Sequence, residues 1–351
     1  MAGLRGRIYT EETIVRSLPY TGRLARKIGQ TPESIMRHSI RKSGSSRRAA
    51  IGLIALAALL VPAPAASAGH QDSEDRHSVI VLPGAKGAEG ITAGEGSTFF
   101  AGDLATGDIF RGDIRKGTAK KFIDVPDGRV AVGMKADNEN DLLFVAGGAS
   151  GKAYVYDTED RKTVKTIQLT RKAAFINDVA LTDRGAWFTN SLQGELYFVP
   201  VGDEGKLGMV RTLKLTGPAA DAGDQFNLNG IASARNHRTL VVAHSGNQAL
   251  YTVNPRTGAS AQIKGVTLPN VDGIVVKGDT IWAVQNFSNQ ISRLRVDFPD
   301  RSGEVKEVIK SRHFNIPTTA ALFDGTLAAV NAKFMVPNAK TFEVVLVKAR
   351  S

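Results

Sequence analysis

The chain has 351 residues, 45 Lys and Arg against 34 Asp and Glu, a formal net charge of +11 and no cysteine. The lack of cysteine excludes disulfides, thiolate metal sites and a cysteine nucleophile. The charge excludes less than its size suggests: residues 1–68 hold 11 of the basic and 3 of the acidic residues, which leaves 34 against 31, or +3, for the remainder, too little to support nucleic-acid binding.

Residues 1–68 read as a leader. An apolar run from Ala49 to Val61 follows a basic stretch with Arg41, Lys42, Arg47 and Arg48, and precedes Pro62, Pro64 and the small-residue sequence Ala66-Ser67-Ala68. A basic region, a short apolar core and an A-x-A cleavage site predict a secretory signal peptide over 36–68. Met36 is expected to be the translation start, with residues 1–35 an extension of the gene model. The apolar run, about 13 residues, is short of the roughly 18–20 that cross a bilayer. The processed protein is therefore expected to be secreted or extracytoplasmic, without a membrane span.

Residues 69–351 read as one all-β domain. His77–Leu82 is a first strand with no hairpin partner of its own. Six units follow, each with a strand, a polar turn, a strand, a polar turn and a further strand. Their second strands are Thr98–Asp103, Leu142–Ala146, Ala186–Asn190, Thr239–His244, Thr280–Val284 and Thr326–Val330. β-Branched and aromatic residues fill the strands, and Gly, Asn and Asp punctuate them. Weaker fourth strands such as Lys121–Ile123 and Val164–Ile167 complete the units. A period of 40–50 residues with about four strands per unit predicts a six-bladed β-propeller. The sixth unit stops after three strands at Val347, so the first strand is expected to supply its outer strand and close the ring. A parallel β-helix fits worse, because its repeats are shorter and lack these hairpin turns.

Four short signatures open inner strands: Glu89-Gly90-Ile91, Asn177-Asp178-Val179, Asn229-Gly230-Ile231 and Asp272-Gly273-Ile274. Their first residues lie 88, 52 and 43 positions apart, or two, one and one steps of a unit near 45. Blades two and six break the pattern with Val132-Gly133 and Ile316-Pro317-Thr318. An isolated Asn-Gly or Asp-Gly is ordinarily a turn and nothing more. Here a repeat period relates them, and Glu89 is a poor turn residue. A radial repeat brings the four oxygen-bearing side chains to one channel mouth. Two carboxylates and two amide oxygens make a hard, all-oxygen site that suits one divalent cation: Ca²⁺ first, with Mg²⁺ or Mn²⁺ as alternatives and Zn²⁺ if water completes its shell.

The turns between second and third strands share that face and supply candidate substrate-binding residues Asp103, His244, Asn286, Asn289 and Lys333. His244 reads equally as a loop hydrogen-bonder or a catalytic group. Phe287, Phe334 and Met335 are candidates for an apolar pocket floor, or for ordinary loop packing, and the Ala332–Thr341 turn is a candidate lid. No G-x-S-x-G elbow accompanies Ser245, which argues against Ser-His-Asp catalysis.

The Glu-Gly-apolar opening, the Asn-Asp of the third unit, the Asn-Gly-apolar of the fourth and the Asp-Gly-apolar of the fifth resemble the gluconolactonase/regucalcin family of six-bladed propellers over roughly Ala85–Val347. The resemblance implies that Glu89, Asn177, Asn229 and Asp272 ligate the metal and that Asp272 is also the general base. Asp178 is a candidate to orient the attacking water. Sugar-lactone members of that family carry an arginine just before the third-blade Asn, where this chain has Ala174-Phe175-Ile176. The expectation is a monomeric, metal-dependent hydrolase of a small lactone or ester. The alternative is a non-catalytic propeller, of which a strictosidine-synthase-like fold is one variant, that binds a ligand or protein and holds a structural ion.

Overall fold

The computed structural model describes residues 78–221 and 226–350. The leader, its signal peptide and His77 lie outside these residues. Among the described residues, twenty-four strands form six four-stranded antiparallel sheets.

Strand β1 (Val79–Leu82) precedes the first complete blade, formed by β2 (Ala88–Ala93), β3 (Thr98–Asp103), β4 (Ile109–Asp113) and β5 (Thr118–Ile123). The second blade is β6 (Met134–Asp137), β7 (Leu142–Ala146), β8 (Lys152–Asp157) and β9 (Thr163–Gln168). The third is β10 (Ile176–Thr182), β11 (Gly185–Asn190), β12 (Glu195–Pro200) and β13 (Arg211–Lys214). The fourth is β14 (Leu228–Ala234), β15 (Thr239–His244), β16 (Ala249–Val253) and β17 (Ser260–Gln262). The fifth is β18 (Val271–Lys277), β19 (Thr280–Gln285), β20 (Gln290–Asp297) and β21 (Ser302–Lys310). The sixth is β22 (Pro317–Phe323), β23 (Thr326–Asn331), β24 (Phe342–Lys348) and, returning from the start of the chain, β1.

Six apolar layers, one between each pair of neighbouring blades, close the ring. Second and third strands are buried on both faces and so read as continuous apolar runs, as in Leu142–Ala146. Fourth strands are mostly exposed, as in Thr163–Gln168, which is why their sequence signal is weak. The layer between the last and first blades packs Ile80 and Leu82 with Phe99, Phe110 and Val344. β1 pairs antiparallel with β24, Val79 opposite Val345 and Leu82 opposite Phe342. The N-terminal strand thus covers an edge that would otherwise expose a row of unpaired backbone groups. The Trp282 indole N–H donates to the Ala349 carbonyl at 2.8 Å and fastens the C-terminal segment to the fifth blade.

Candidate functional site

The innermost strands are β2, β6, β10, β14, β18 and β22, and neighbouring members of this set pack against each other around the central channel. Five of them open with a register shift against their second strand. Ala88 pairs with Asp103 and Ile91 with Ala101, so three steps on one strand oppose two on the other. The same bulge recurs at Ile176/Val179, Leu228/Ile231 and Val271/Ile274, and a shorter one occurs at Pro317/Thr319. The extra residues are the signatures themselves. A bulge re-aims side chains out of the regular alternation, which lets Glu89, Asn177, Asn229 and Asp272 leave the inter-blade layers.

The second signature position is set by crowding. A Cβ on Gly90 would meet the Val132 carbonyl, and one on Gly230 would lie 2.6 Å from the Asp272 carbonyl and 2.8 Å from Gly273. Gly230 thus touches the bulge of the fifth blade, and Gly90 the segment that enters the inner strand of the second blade. Asp178 takes this position in the third blade, and its carboxylate bridges blades. Oδ1 accepts from Val179 N–H at 2.8 Å and Oδ2 from Ile231 N–H of the fourth blade at 3.1 Å.

The first residue after each second strand governs the first signature position. Ser191, Ser245 and Asn286 occupy it in the third, fourth and fifth blades. The Asn177 amide nitrogen donates to Ser191 Oγ at 2.9 Å and that of Asn229 to Ser245 Oγ at 3.1 Å. Ser191 donates in turn to the Leu228 carbonyl, and Ser245 to the Val271 carbonyl, both at 2.7 Å. With their nitrogens held, both amides keep their carbonyl oxygens for another partner. Asn286 donates to Asp272 Oδ2 at 2.6 Å. In the first blade this position is Leu104, which has no polar group to offer. Glu89 is 7 % exposed and its Oε2 is buried with no hydrogen-bond partner.

Three carboxylates therefore share one poorly hydrated region. Burial, then the charges of Asp272 and Asp178, hold the Glu89 carboxyl well above its ordinary pKa. Burial and the charge of Asp178 push Asp272 up to about 7 against hydrogen bonds from Asn286 and Asn229. Burial raises Asp178 to about 6, opposed by its two backbone N–H donors and by Lys135. Lys135 on β6 keeps surface open to the channel, yet the surrounding protein strips hydration from its ammonium and lowers its pKa, while Asp178 pulls the other way. Three carboxylates against one ammonium leave two negative charges when all are ionised.

The remaining sequence-predicted residues sit elsewhere in the hydrogen-bond scheme. Asp103 and His244 end second strands, at the repeat position also held by Asn190, Gln285 and Asn331, and all five are buried. Asp103 accepts from the backbone N–H groups of Lys86, Ala105 and Thr106. His244 Nδ1 accepts from Asn247 N–H at 3.1 Å, which puts the proton on Nε2, 2.8 Å from the Asp221 carbonyl. Burial lowers the His244 pKa and keeps the ring neutral. Asn289 adopts a left-handed conformation and accepts from Ile316 N–H at 2.7 Å. The Lys333 ammonium donates to Glu343 at 2.7 Å and to the Thr341 carbonyl at 2.8 Å. Of the five predicted substrate-binding residues, Asn286 alone bonds to a signature residue. Met335 and Val336, in the loop after β23, are exposed at 51 % and 39 %.

Lys135, Thr189, Ser191, Ser245 and Thr318 are not evident from sequence reasoning. Thr189 and Thr318 donate to the Asn229 and Glu89 carbonyls of neighbouring blades at 2.8 and 2.6 Å. A signal exists in the spacing: Asn177 to Ser191 and Asp272 to Asn286 are both 14 residues apart.

No protein-family model matches the sequence, and no curated protein matches it. Solved structures do. Virginiamycin B lyase from Staphylococcus aureus superposes with a TM-score of 0.52 at 16% identity, over 76% of this chain and 82% of that one. A protein from Lactobacillus plantarum gives 0.52 at 16% identity, over 75% and 84%. The major allergen Mala s 1 from Malassezia sympodialis gives 0.53 at 14% identity, over 72% and 90%. At these identities the likeness shows the fold alone. This chain is a six-bladed β-propeller.

Proposed function

We propose that the channel mouth binds one divalent cation and that the protein is an exported hydrolase of a small lactone or ester. The observation that carries the cation is Glu89: a buried carboxylate oxygen without a partner, in a cluster whose ionised charge is minus two. A buried carboxylate is ordinarily paired, protonated or metal-bound. Among the described residues no three His, Cys, Asp or Glu side chains form a metal cage by themselves. The donor set is instead mixed: carboxylate oxygens of Glu89 and Asp272 with carbonyl oxygens of Asn177 and Asn229, a hard set that suits Ca²⁺ best.

A cation bound there would supply Lewis acidity toward a carbonyl oxygen. The residues supply the rest. Ser191 and Ser245 fix the amide orientations, and Asn286 holds Asp272 by one oxygen. Burial and neighbouring charge place the Asp272 carboxyl near neutrality, which suits it to take a proton from an attacking water. Asp178, pinned by two backbone donors, holds the bulges of the third and fourth blades in register.

The resemblance to the lactonase-like propellers favours hydrolysis. One observation favours a purely structural ion: a cleft lies on the opposite face, lined by Trp187 and Arg238. Metal analysis of the purified protein, with a lactone and ester panel run with and without chelator, separates the two. Bound calcium with chelator-sensitive turnover that Asp272→Asn abolishes supports the enzyme. Bound calcium that raises the melting temperature without turnover supports the binding propeller, and metal-free protein indifferent to added cations refutes both.

A further inference from the structure

On the face opposite the signatures, the β10–β11 and β14–β15 turns and the β16–β17 connection enclose a cleft of about 760 Å³ between the third and fourth blades. Its walls carry Arg184, Arg211, Arg238 and Arg256, all exposed, and Asp183 is the sole acidic lining residue. Among the described residues none of these four guanidiniums is paired with a carboxylate. Trp187 and Phe198, stacked with centroids 4.5 Å apart, also line it. The β14–β15 turn is strained: Arg235, Asn236 and His237 have φ of 53°, 51° and 63°, three consecutive non-glycine residues in the left-handed region. Strain of this kind persists where the surroundings enforce it and concentrates at ligand sites. Here it presents His237 and Arg238 to the cleft.

We infer that this cleft binds a small organic phosphate, a phosphate monoester on a flat apolar body. Planar guanidiniums match phosphate oxygens in a two-pronged fashion that lysines cannot. Trp187 and Phe198 are each 7 % exposed and line the cleft, so the surface they keep is an apolar contact for a ring that inorganic phosphate does not need. The volume falls within the roughly 300–1,000 Å³ of small-molecule sites. Like charges held together without counter-charges cost stability unless an anion relieves them, and the sequence provides none within the cleft beyond Asp183.

The test is titration of the full chain with phenyl phosphate and adenosine monophosphate, followed by calorimetry and tryptophan emission. The chain has two tryptophans. Trp282 lies in the layer between the fifth and sixth blades with its indole bonded to Ala349, whereas Trp187 lines the cleft, so a ligand-induced emission change reports on Trp187. Both phosphates are expected to bind at least about tenfold more tightly than inorganic phosphate, while benzyl alcohol and adenosine do not bind. The paired variant Arg184→Gln with Arg238→Gln is expected to weaken binding by about tenfold or more without lowering the melting temperature, because both side chains are exposed and like charge is removed. Arg115→Gln, on the first blade, is expected to change nothing. Inorganic phosphate binding as tightly as phenyl phosphate overturns the organic half of the inference. Absence of binding at millimolar ligand, or full binding by the paired variant, overturns all of it. Asp272→Asn leaves this binding intact, so its failure is distinct from failure of the channel-mouth reading.

Discussion

Asp272→Asn is expected to stabilise the metal-free protein at alkaline pH. The carboxyl titrates near 3.8 when unfolded and at about 7 in the fold, chiefly through burial. Between those values the folded state holds a proton that the unfolded state has released, so stability falls as pH rises through the window and is lowest above about 7. At ~1.4 kcal/mol per pKa unit the full displacement corresponds to ~4 kcal/mol at pH 8, and to ~1 kcal/mol at pH 4.5. The amide is isosteric, can still accept from Asn286, and does not titrate. For a fold of this size ~4 kcal/mol is about 8–12 °C in melting temperature. The assay is thermal unfolding by circular dichroism in chelator across pH 4.5–8.5. The variant should melt higher at pH 8, and its advantage should shrink toward pH 4.5. With millimolar Ca²⁺ the wild type should recover and the variant should not. Parallel melting curves for the two proteins across the pH range would refute the buried-carboxylate argument.

His244 should act in the opposite sense. Burial lowers its pKa, so its stabilising contribution is complete above about 6.5 and erodes as pH falls through the depressed folded value; in pH-dependent melts His244→Gln should lack this acid-side loss. Gly230→Ala places a methyl 2.6 Å from the Asp272 carbonyl and should cost ~2–3 kcal/mol in denaturant unfolding; a change below ~0.5 kcal/mol would show that the bulges are not in enforced contact. Ile80→Ala, at a fully buried position of β1, should cost ~3 kcal/mol. The same loss should raise aggregation on heating, read by light scattering, because β24 then frays into an open edge. Ser245→Ala removes a two-bond link between blades and should cost ~1–2 kcal/mol; calcium affinity should weaken with it as the Asn229 amide is released.

The ring was legible because strand period and turn chemistry are local. β-Branched runs separated by Gly, Asn and Asp specify hairpins wherever they occur, and six such units at a regular period leave few architectures. Closure by β1 followed from counting, since a three-stranded last blade and an unpaired first strand satisfy each other's backbone. The signatures were legible for the same reason. Glu89 is a poor plain turn former, and their period places the signatures at one end of four of the six inner strands.

Other features depended on registration between blades. Sequence assigned Asp103 and His244 to the binding face because they stand beside polar turns. The structure shows that the side chains of Asp103 and His244 are satisfied by nearby backbone groups, while in the third, fourth and fifth blades the next residue reaches the signature. A one-residue difference in a period-two strand reverses the side a group faces, and a bulge shifts that count again. The arginine cleft was likewise invisible, since Arg184, Arg211, Arg238 and Arg256 belong to four different strand ends that meet only when two blades pack. The sequence by itself determined six blades, their closure and the four signatures that open inner strands. Tertiary packing alone decided that Leu104 leaves Glu89 unpartnered and that Lys135 faces Asp178, because burial and charge at a point are sums over blades distant in the chain.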